Sequence, residues 1–292
     1  MRGMNIAILS RNAEIHSTAR LAEAGRARGH HVDILNPLAV TLEFGEVPRV
    51  HYRSLQLPAY DVVIPRIGAS ISLYGLAVLR QFELLGTRPL NTSSAIARAQ
   101  DKLLSTQCLA QHNIPMPATA FAHDAGESDH LLRLVGGAPA IVKLVEGTQG
   151  VGVVLGETEK SLRSMIEAFR GARVDILVQQ FIEEAGAKDI RAFVIAGEVV
   201  AAMERSGAEG DFRSNLHRGG SAQAIVLTDA ERDLAIRTAA IVGLDVAGVD
   251  MLRSKRGALV IEVNASPGLE GIEAASGIDI AGAMIAAAEG LA

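Results

Sequence analysis

Two carboxylates and an amide in the C-terminal third of the chain have the spacing of a cation site. Residues 260–264 alternate between apolar and polar side chains, which predicts a strand with Glu262 and Asn264 on one face. A preceding strand, predicted over residues 247–252, carries Asp250. Carboxylate and amide oxygens suit Mg²⁺ that also keeps water and phosphate oxygens in its shell.

The link between these strands predicts how the two carboxylates meet. Lys255-Arg256-Gly257 fits a three-residue hairpin loop that ends on a left-handed glycine, with Ser254 facing Ala258. This register places Asp250 directly opposite Glu262, where like charges destabilise a sheet. A bound divalent cation would remove the conflict. The alternative, a solvated polar face on an edge hairpin, is weighed lower because the surrounding strands are apolar.

A lysine followed by a glycine-rich loop suggests a phosphate site. Residues 139–145 form a predicted buried strand whose one charge, Lys143, requires an anion. Gly147, Gly150 and Gly152 follow in a loop that runs into another strand, so the segment is not a P-loop. Such a flap can close over phosphates with its backbone N–H groups. A plain hairpin turn is the alternative, and Lys143 favours the phosphate interpretation.

Anion-binding groups are also predicted at two other places. Residues 209–220 interrupt the apolar pattern with a donor-rich, glycine-flanked segment, which is either a phosphate-facing loop or a surface loop. Arg11 and Arg66 follow predicted strands, where ligands of open α/β sheets bind. Arginine is a natural partner for a carboxylate, so both are candidate substrate residues. Ordinary surface arginines are an equally weighted alternative.

Strands and helices alternate through the first third of the chain, which predicts a doubly wound α/β unit. The predicted strands span residues 5–10, 31–35 and 61–64, and the predicted helices span residues 18–28 and 73–85. No G-x-G-x-x-G follows the first strand, so a dinucleotide is not indicated.

The remaining elements are mixed. Further helices are predicted over residues 93–112, 161–169, 229–242 and 279–291. The predicted N-cap of the first is Ser93 or Ser94, and that of the third is Thr228. A strand is predicted over residues 176–184, running into a polar link, and a hairpin over residues 189–195 and 198–203.

Composition excludes several partners. The 292 residues include only 3% aromatic side chains and carry a net charge of −5, so no nucleic acid is expected. No apolar run approaches the roughly 20 residues of a spanning helix, and no signal segment is recognised, so no membrane is expected. The single cysteine, Cys108, excludes an intrachain disulfide and fits a reducing compartment. Cytoplasmic localisation is therefore expected.

Three long segments, residues 142–150, 210–220 and 262–273, resemble the RimK-type ribosomal-protein glutamate ligases of the ATP-grasp superfamily. The resemblance extends over essentially the whole chain. It implies an α/β fold in which an N-terminal Rossmann-like pre-ATP-grasp domain precedes a two-subdomain ATP-grasp fold. The implied limits are 1–94 for the first domain, 95–182 for the central subdomain and 183–292 for the C-terminal subdomain.

The resemblance also implies a reaction. ATP phosphorylates a carboxylate, an amine attacks the acyl phosphate, and an amide and ADP result. Members of the family add L-glutamate to the C-terminal glutamate of a small-subunit ribosomal protein, form poly-α-glutamate, and are homotetramers. Two alternatives remain: a ligase of the same fold that acts on another carrier protein or peptide, and a non-catalytic ATP-binding regulator. The regulator is disfavoured because the implied phosphate lysines and metal ligands are all present.

Residue roles follow by the same resemblance. Asp250, Glu262 and Asn264 are implied to hold two Mg²⁺ or Mn²⁺ ions, with Glu262 bridging. Lys143 and Arg213 are implied to be catalytic. The implied ATP contacts are Lys102, Lys143, Gly147, Gly150, Gln180, Phe181, Ile182, Glu183, Asp189, Arg213, Ser214 and Asn215. Gln180 departs from the family pattern, which has glutamate there, and this matters only if that acidic side chain is needed to read adenine.

Overall fold

The computed structural model of the chain describes residues 3–123, 128–145, 152–208 and 219–291. Within these ranges the strands form four sheets. Three of the sheets contain the elements that the sequence predicts. The fourth is a small antiparallel sheet that the sequence did not predict.

The N-terminal part is a parallel sheet with alternating helices, as predicted. Its elements, with those of the small sheet, are β1 (Asn5–Leu9), α1 (His16–Ala27), β2 (His31–Leu35), β3 (Val40–Glu43), β4 (Arg49–Tyr52), β5 (Leu55–Gln56), β6 (Val62–Pro65), α2 (Ser72–Leu84) and β7 (Arg88–Pro89). The parallel sheet has the order β2-β1-β6-β7. The unpredicted sheet β3-β4-β5 turns at Arg53 and Ser54, which adopt positive φ without the glycine that usually signals such a turn.

The single helix predicted over residues 93–112 is wrong. The structure has two helices, α3 (Ser93–Gln100) and α4 (Lys102–Gln111), separated by Asp101 in an extended conformation. The Asp101 carboxylate accepts a hydrogen bond from the Leu104 N–H at 2.9 Å and thereby caps α4. The N-cap of α3 is Thr92, not Ser93 or Ser94. The Asp101 side chain bonds to a backbone N–H group, which favours a helix start over a continuous helix at this point. The resulting break places Lys102 at the start of α4.

The central sheet is antiparallel and contains the strands on both sides of the predicted flap. Its elements are β8 (Thr119–Phe121), α5 (Ser128–Leu134), β9 (Ala140–Leu144), β10 (Val153–Gly156), α6 (Glu159–Gly171) and β11 (Ile176–Gln180). The order is β10-β9-β11-β8, and Lys143 on β9 pairs with Val153 on β10. The strands predicted on either side of the glycines are therefore confirmed, and residues 146–151 between them lie outside the described ranges.

The third sheet carries the predicted cation site. Its elements are β12 (Lys188–Ile195), β13 (Glu198–Ser206), β14 (Ser221–Ala224), α7 (Asp229–Val242), β15 (Val246–Ser254), β16 (Gly257–Asn264), α8 (Glu270–Ser276) and α9 (Ile280–Glu289). The order is β14-β13-β12-β15-β16, with every neighbouring pair antiparallel. α7 begins where the sequence predicts, because Thr228 and Glu231 form a capping box.

Both faces of the third sheet are covered, but one of them only in part. One face packs against α7 through Ile190, Ala192, Val194, Val249, Met251, Leu234, Ala235 and Ala239. The other packs against α8 and α9 through Phe193, Ile195, Ala201, Met203, Val246, Ile272, Ile280 and Met284. Residues farther along this second face, beyond the apolar cluster, are charged. No single described helix is long and apolar enough to cross a membrane, although α8 and α9, bent by 111°, pass as a pair by length and composition only.

The hairpin of β15 and β16 reaches the predicted pairing by a different route. Ser254 pairs with Gly257 rather than with Ala258, so the predicted register of the loop is wrong by one residue. A register shift between Asp250 and Met251 cancels this one-residue error for the residues that precede Met251 on β15. The predicted pairing of Asp250 with Glu262 is consequently confirmed.

A cluster of charged side chains fixes the C-terminal helix to the N-terminal sheet. Glu289 on α9 accepts hydrogen bonds from Arg28 Nη2 at 2.5 Å and Nε at 2.8 Å. It also lies 2.8 Å from Nε2 of the buried His30, whose Nδ1 accepts from the Met4 N–H. Hydrogen bonding by Arg28, followed by that of His30, lowers the pKa of Glu289 from 4.5 to about 2.

We expect Glu289→Gln to lower the thermal midpoint at neutral pH by a few degrees. The pKa of Glu289 is depressed in the folded chain, so its contribution is complete above pH 4.5 and is lost as the pH falls towards 2. The difference between the two proteins should therefore shrink as the pH is lowered from neutral to about 3. Calorimetry across this range checks the expectation, and a difference that stays constant with pH would contradict it.

Candidate functional site

Charged side chains from four strands share one face of the third sheet. Arg191 on β12 pairs with Asp250 on β15, and Asp250 pairs with Glu262 on β16. Asp189, two residues before Arg191, pairs with Arg205 on β13. Directly paired residues project from the same face, as do residues two apart on one strand. The face therefore collects Asp189, Arg191, Arg205, Asp250, Glu262 and Asn264.

Arg205 joins two buried carboxylates. Its Nε and Nη2 donate to the two oxygens of Asp189 at 2.7 and 2.6 Å, and Nη2 also donates to Asp250 Oδ2 at 2.9 Å. All three residues are at least 95% buried. Asp250 and Asp189 raise the pKa of Arg205 despite burial, which acts in the opposite direction. The buried arginine is thus fully ionised and holds both carboxylates in place.

Arg191 makes a second two-point contact with Asp250. Its Nε donates to Oδ1 at 2.7 Å and its Nη2 to Oδ2 at 2.6 Å. Burial on its own would raise the pKa of Asp250, but the charges of Arg191 and Arg205 lower it below its ordinary value. The two arginines therefore compensate the negative charge opposite Glu262. A cation is not needed to relieve the cross-strand conflict, and this part of the sequence argument is wrong.

The three predicted metal ligands have different surroundings. Glu262 is exposed and has no hydrogen-bond partner among the described residues. The Oδ1 of Asn264 accepts from the Ser266 N–H at 2.9 Å, which leaves this oxygen a second lone pair. Across the described ranges no three His, Cys, Asp or Glu side chains are grouped so as to hold a metal. Two carboxylates and one amide oxygen nevertheless fit a hard cation whose remaining ligands are water and phosphate.

Two lysines lie near the charged groups of the third sheet: Lys143 on β9 of the central sheet and Lys102 at the start of α4. Lys143 is partly buried on β9, and burial lowers its pKa below the ordinary value. Glu262 and, more weakly, Asp250 oppose this shift, whereas the charge of Lys102 adds to it. The Nζ of Lys102 donates to the Val145 carbonyl at 3.3 Å. Lys143 is thus in electrostatic contact with two carboxylates and with a second lysine, an arrangement suited to a ligand that carries phosphates and a cation.

The predicted nucleotide hinge is clamped by the turn of the β15–β16 hairpin. Arg256 Nη2 donates to Gln180 Oε1 at 2.9 Å, and the Lys255 N–H donates to Glu184 Oε1 at 3.2 Å. Phe181 is partly buried, Ile182 is buried and Glu183 is exposed. The Gln180 side-chain oxygen is therefore bonded to the hairpin.

Arg66 contacts the segment that follows β16 from the end of a strand of the N-terminal sheet. The Nη2 of Arg66 donates to the Pro267 carbonyl at 2.7 Å, and burial lowers the pKa of Arg66 to about 10. An added Cβ at Gly248 would lie 2.9 Å from the Cβ of Pro267 and 3.6 Å from Nε of Arg191. Because Gly248 has no side chain, Pro267 and Arg191 can pack closely against its backbone. Arg11 is exposed and has no polar contact within the described ranges.

Several predicted residues lie outside the described ranges: Gly147, Gly150, Arg213, Ser214 and Asn215. Arg191 and Arg205 were missed by the sequence analysis. A usable signal existed for Arg191, because it lies two residues from Asp189 and therefore on the same face of one strand. Arg205 lies beside Glu204 near the end of β13, so it did not stand out as a lone charge on an apolar strand.

Comparison with known proteins gives consistent results. The family model of the RimK-like ATP-grasp domain matches residues 99–288, and that of the RimK PreATP-grasp domain matches residues 4–96. A curated relative from Thioalkalivibrio sulfidiphilus, a probable alpha-L-glutamate ligase, is 57% identical over 283 residues, which cover 97% of this chain and 94% of the relative.

Solved structures of the same fold are more distant in sequence. The ATP-grasp ligase PsnB, complexed with a variant of its minimal precursor, Mg and ADP, has a TM-score of 0.76 at 22% identity and covers 100% of this chain and 99% of its own. A RimK domain protein from Sphaerobacter thermophilus has a TM-score of 0.73 at 22% identity, covering 97% and 98%. These similarities confirm the predicted fold.

We expect Lys143→Met to weaken ATP binding strongly, because a phosphate partner is lost while the packing of the side-chain stem is roughly kept. Calorimetric titration with a non-hydrolysable ATP analogue and Mg²⁺ measures the effect. Lys160→Met, which removes an exposed lysine from α6 of the same sheet unit, is the matched control and should leave affinity unchanged. Equal affinities for the ATP analogue in the two variants would mean that the Lys143 ammonium group points to solvent and does not bind phosphate.

Proposed function

Because the chain belongs to the RimK family of ATP-grasp ligases, we propose that it joins L-glutamate to a carboxylate in an ATP-dependent reaction. One observation supports this most directly: Lys143 on the central sheet, with Lys102 beside it, is in electrostatic contact with Glu262 and Asp250 on the third sheet. Such an arrangement has cations for the phosphate oxygens on one side and ligands for a divalent ion on the other.

The proposed chemistry has two steps. A carboxylate oxygen attacks the γ-phosphorus of ATP, so a new P–O bond forms and the bond to the leaving ADP breaks. The amine nitrogen then attacks the acyl carbon, the C–O bond to phosphate breaks, and inorganic phosphate leaves as the amine loses a proton. The protein supplies position and charge rather than a covalent nucleophile.

We assign the residues of this chain as follows. Lys102 and Lys143 bind the phosphates, and the backbone of the hinge from Gln180 to Glu183 receives the adenine. Asp250, Glu262 and Asn264 would hold two Mg²⁺ or Mn²⁺ ions, which when bound neutralise charge on the phosphate oxygens. The segment with Arg213, Ser214 and Asn215, and the glycines at 147 and 150, complete the proposed phosphate site. Asp189 acts through Arg205, not by direct contact, in this assignment.

The glutamyl substrate is proposed to enter from the N-terminal side. Arg66 is partly buried, bonds to a carbonyl next to the cation site, and has no carboxylate partner among the described residues. Arginine forks match carboxylates, so Arg66 is the proposed anchor for a substrate carboxylate. Arg11 is retained as a secondary candidate at the end of β1.

The physiological acceptor is proposed to be the C-terminal glutamate of a small-subunit ribosomal protein, with poly-α-glutamate formed from free glutamate. This proposal and the homotetramer rest on resemblance to the family, whereas the proposed cytoplasmic location rests on the single cysteine and the sequence composition. The domain limits 1–94, 95–182 and 183–292 are likewise proposed. They agree with the separation of the described strands into an N-terminal parallel sheet and two antiparallel sheets.

The function is tested by incubating the protein with ATP, Mg²⁺, glutamate and a peptide that ends in glutamate. We expect ADP release that depends on glutamate, and mass spectra in which the peptide gains whole glutamyl residues. The same peptide with an amidated C-terminus is the control and should gain none, because it lacks the terminal carboxylate. ADP release without glutamate dependence, or equal modification of the amidated peptide, would contradict the proposal.

A further inference from the structure

Asp250 is the predicted cation ligand that is already engaged by protein donors. Arg191 donates to both of its oxygens, and Arg205 adds a third bond to Oδ2. A carboxylate has about four lone-pair sites, so only one position, on Oδ1, is left. A cation placed there would share that oxygen with the guanidinium of Arg191, 2.7 Å away.

The two arginines differ in how firmly they are held. Arg205 is 4% exposed and bound by two points to Asp189, so its withdrawal would leave a buried carboxylate unpaired. The side chain of Arg191 is 14% exposed, and Asp250 is its only hydrogen-bond partner within the described ranges. Arg191 can therefore leave Asp250 at a lower cost than Arg205 can.

The charges around Asp250 disfavour a cation that arrives alone. Arg191, Arg205 and Lys143 lie on its side of the sheets, with Lys102 next to Lys143. Asp189 is neutralised by its own contact with Arg205, which leaves Glu262 as the carboxylate with no hydrogen-bond partner among the described side chains. A nucleotide polyphosphate would reverse this balance, because it brings several negative charges to the lysines.

We propose that Arg191 is a positioning residue. It bonds to the Asp250 carboxylate in the absence of ligand, and the divalent cation replaces it there when the cation arrives with the nucleotide. Arg205 stays in place, keeps Asp250 ionised and orients it. The exchange makes cation binding depend on nucleotide, so the metal alone binds weakly. This inference rests on the proposed function only in taking Asp250 as a cation ligand.

The experiment is a titration of the full-length protein with Mn²⁺ alone, in which the electron paramagnetic resonance signal reports free Mn²⁺. We expect Arg191→Gln to bind nucleotide-free Mn²⁺ about tenfold more tightly than the wild type, or better, the scale on which partners of metal ligands change metal affinity. Arg253→Gln is the matched control. Arg253, which lies on β15 three residues after Asp250, makes a similar two-point contact with the carboxylate of Glu231.

A gain of affinity in Arg191→Gln only is the expected result. No gain in this variant would overturn the exchange. An equal gain in Arg253→Gln would also overturn it, because removal of a positive charge at either position would then explain the effect. If thermal melting indicates that Arg191→Gln does not fold, Arg191→Lys replaces it. Lysine keeps the charge without the fork and should give a smaller gain, whereas no gain would again overturn the proposal.

A parallel titration with a non-hydrolysable ATP analogue separates this proposal from the proposed function. Wild-type protein should bind Mn²⁺ tightly when the analogue is present, and the difference between wild type and Arg191→Gln should then largely vanish. Absence of nucleotide-dependent Mn²⁺ binding would count against the proposed function. The nucleotide-free comparison of the variants would still decide the role of Arg191.

Discussion

The structure depends on one constraint: the Asp250 carboxylate is buried opposite Glu262 and must be compensated. Leaving such a charge unpaired is far more costly than pairing it, so the neighbouring strands must supply cations. Arg191 and Arg205 do so from β12 and β13, and Asp189 completes the network by holding Arg205. The order of the strands in the third sheet follows from this need as much as from its apolar core.

The remaining architecture leaves this charged face accessible. α7 covers one side of the sheet, whereas α8 and α9 cover only the apolar end of the other. The central sheet then presents Lys143 to the open end, and the N-terminal sheet contributes Arg66 through its bond to Pro267. Side chains from three sheets thus lie close to the Asp250–Glu262 pair.

Much of this could be predicted from the sequence, because alternation and capping are local signals. The strand carrying Glu262, the capped α7 and the alternating N-terminal elements were all predicted. The pairing of Asp250 with Glu262 was correct although the loop was not, since the register shift after Asp250 cancels the one-residue error. The Asp101 break was missed because a side-chain cap competed with helix propensity. Arg191 and Arg205 were missed because their partners are remote in sequence.

The most direct measurement is the rate of glutamate-dependent ADP release by Glu262→Gln, beside Glu198→Gln, which changes an exposed carboxylate of the same sheet. Glu262 is the only carboxylate of the predicted trio that has no protein partner within the described ranges, so its charge is available for a cation. The account predicts a loss of about a hundredfold or more in turnover for Glu262→Gln. It also predicts a metal-free thermal midpoint close to that of the wild type, because Glu262 is exposed and has no hydrogen-bond partner within the described ranges. Near-normal turnover in Glu262→Gln would contradict the account.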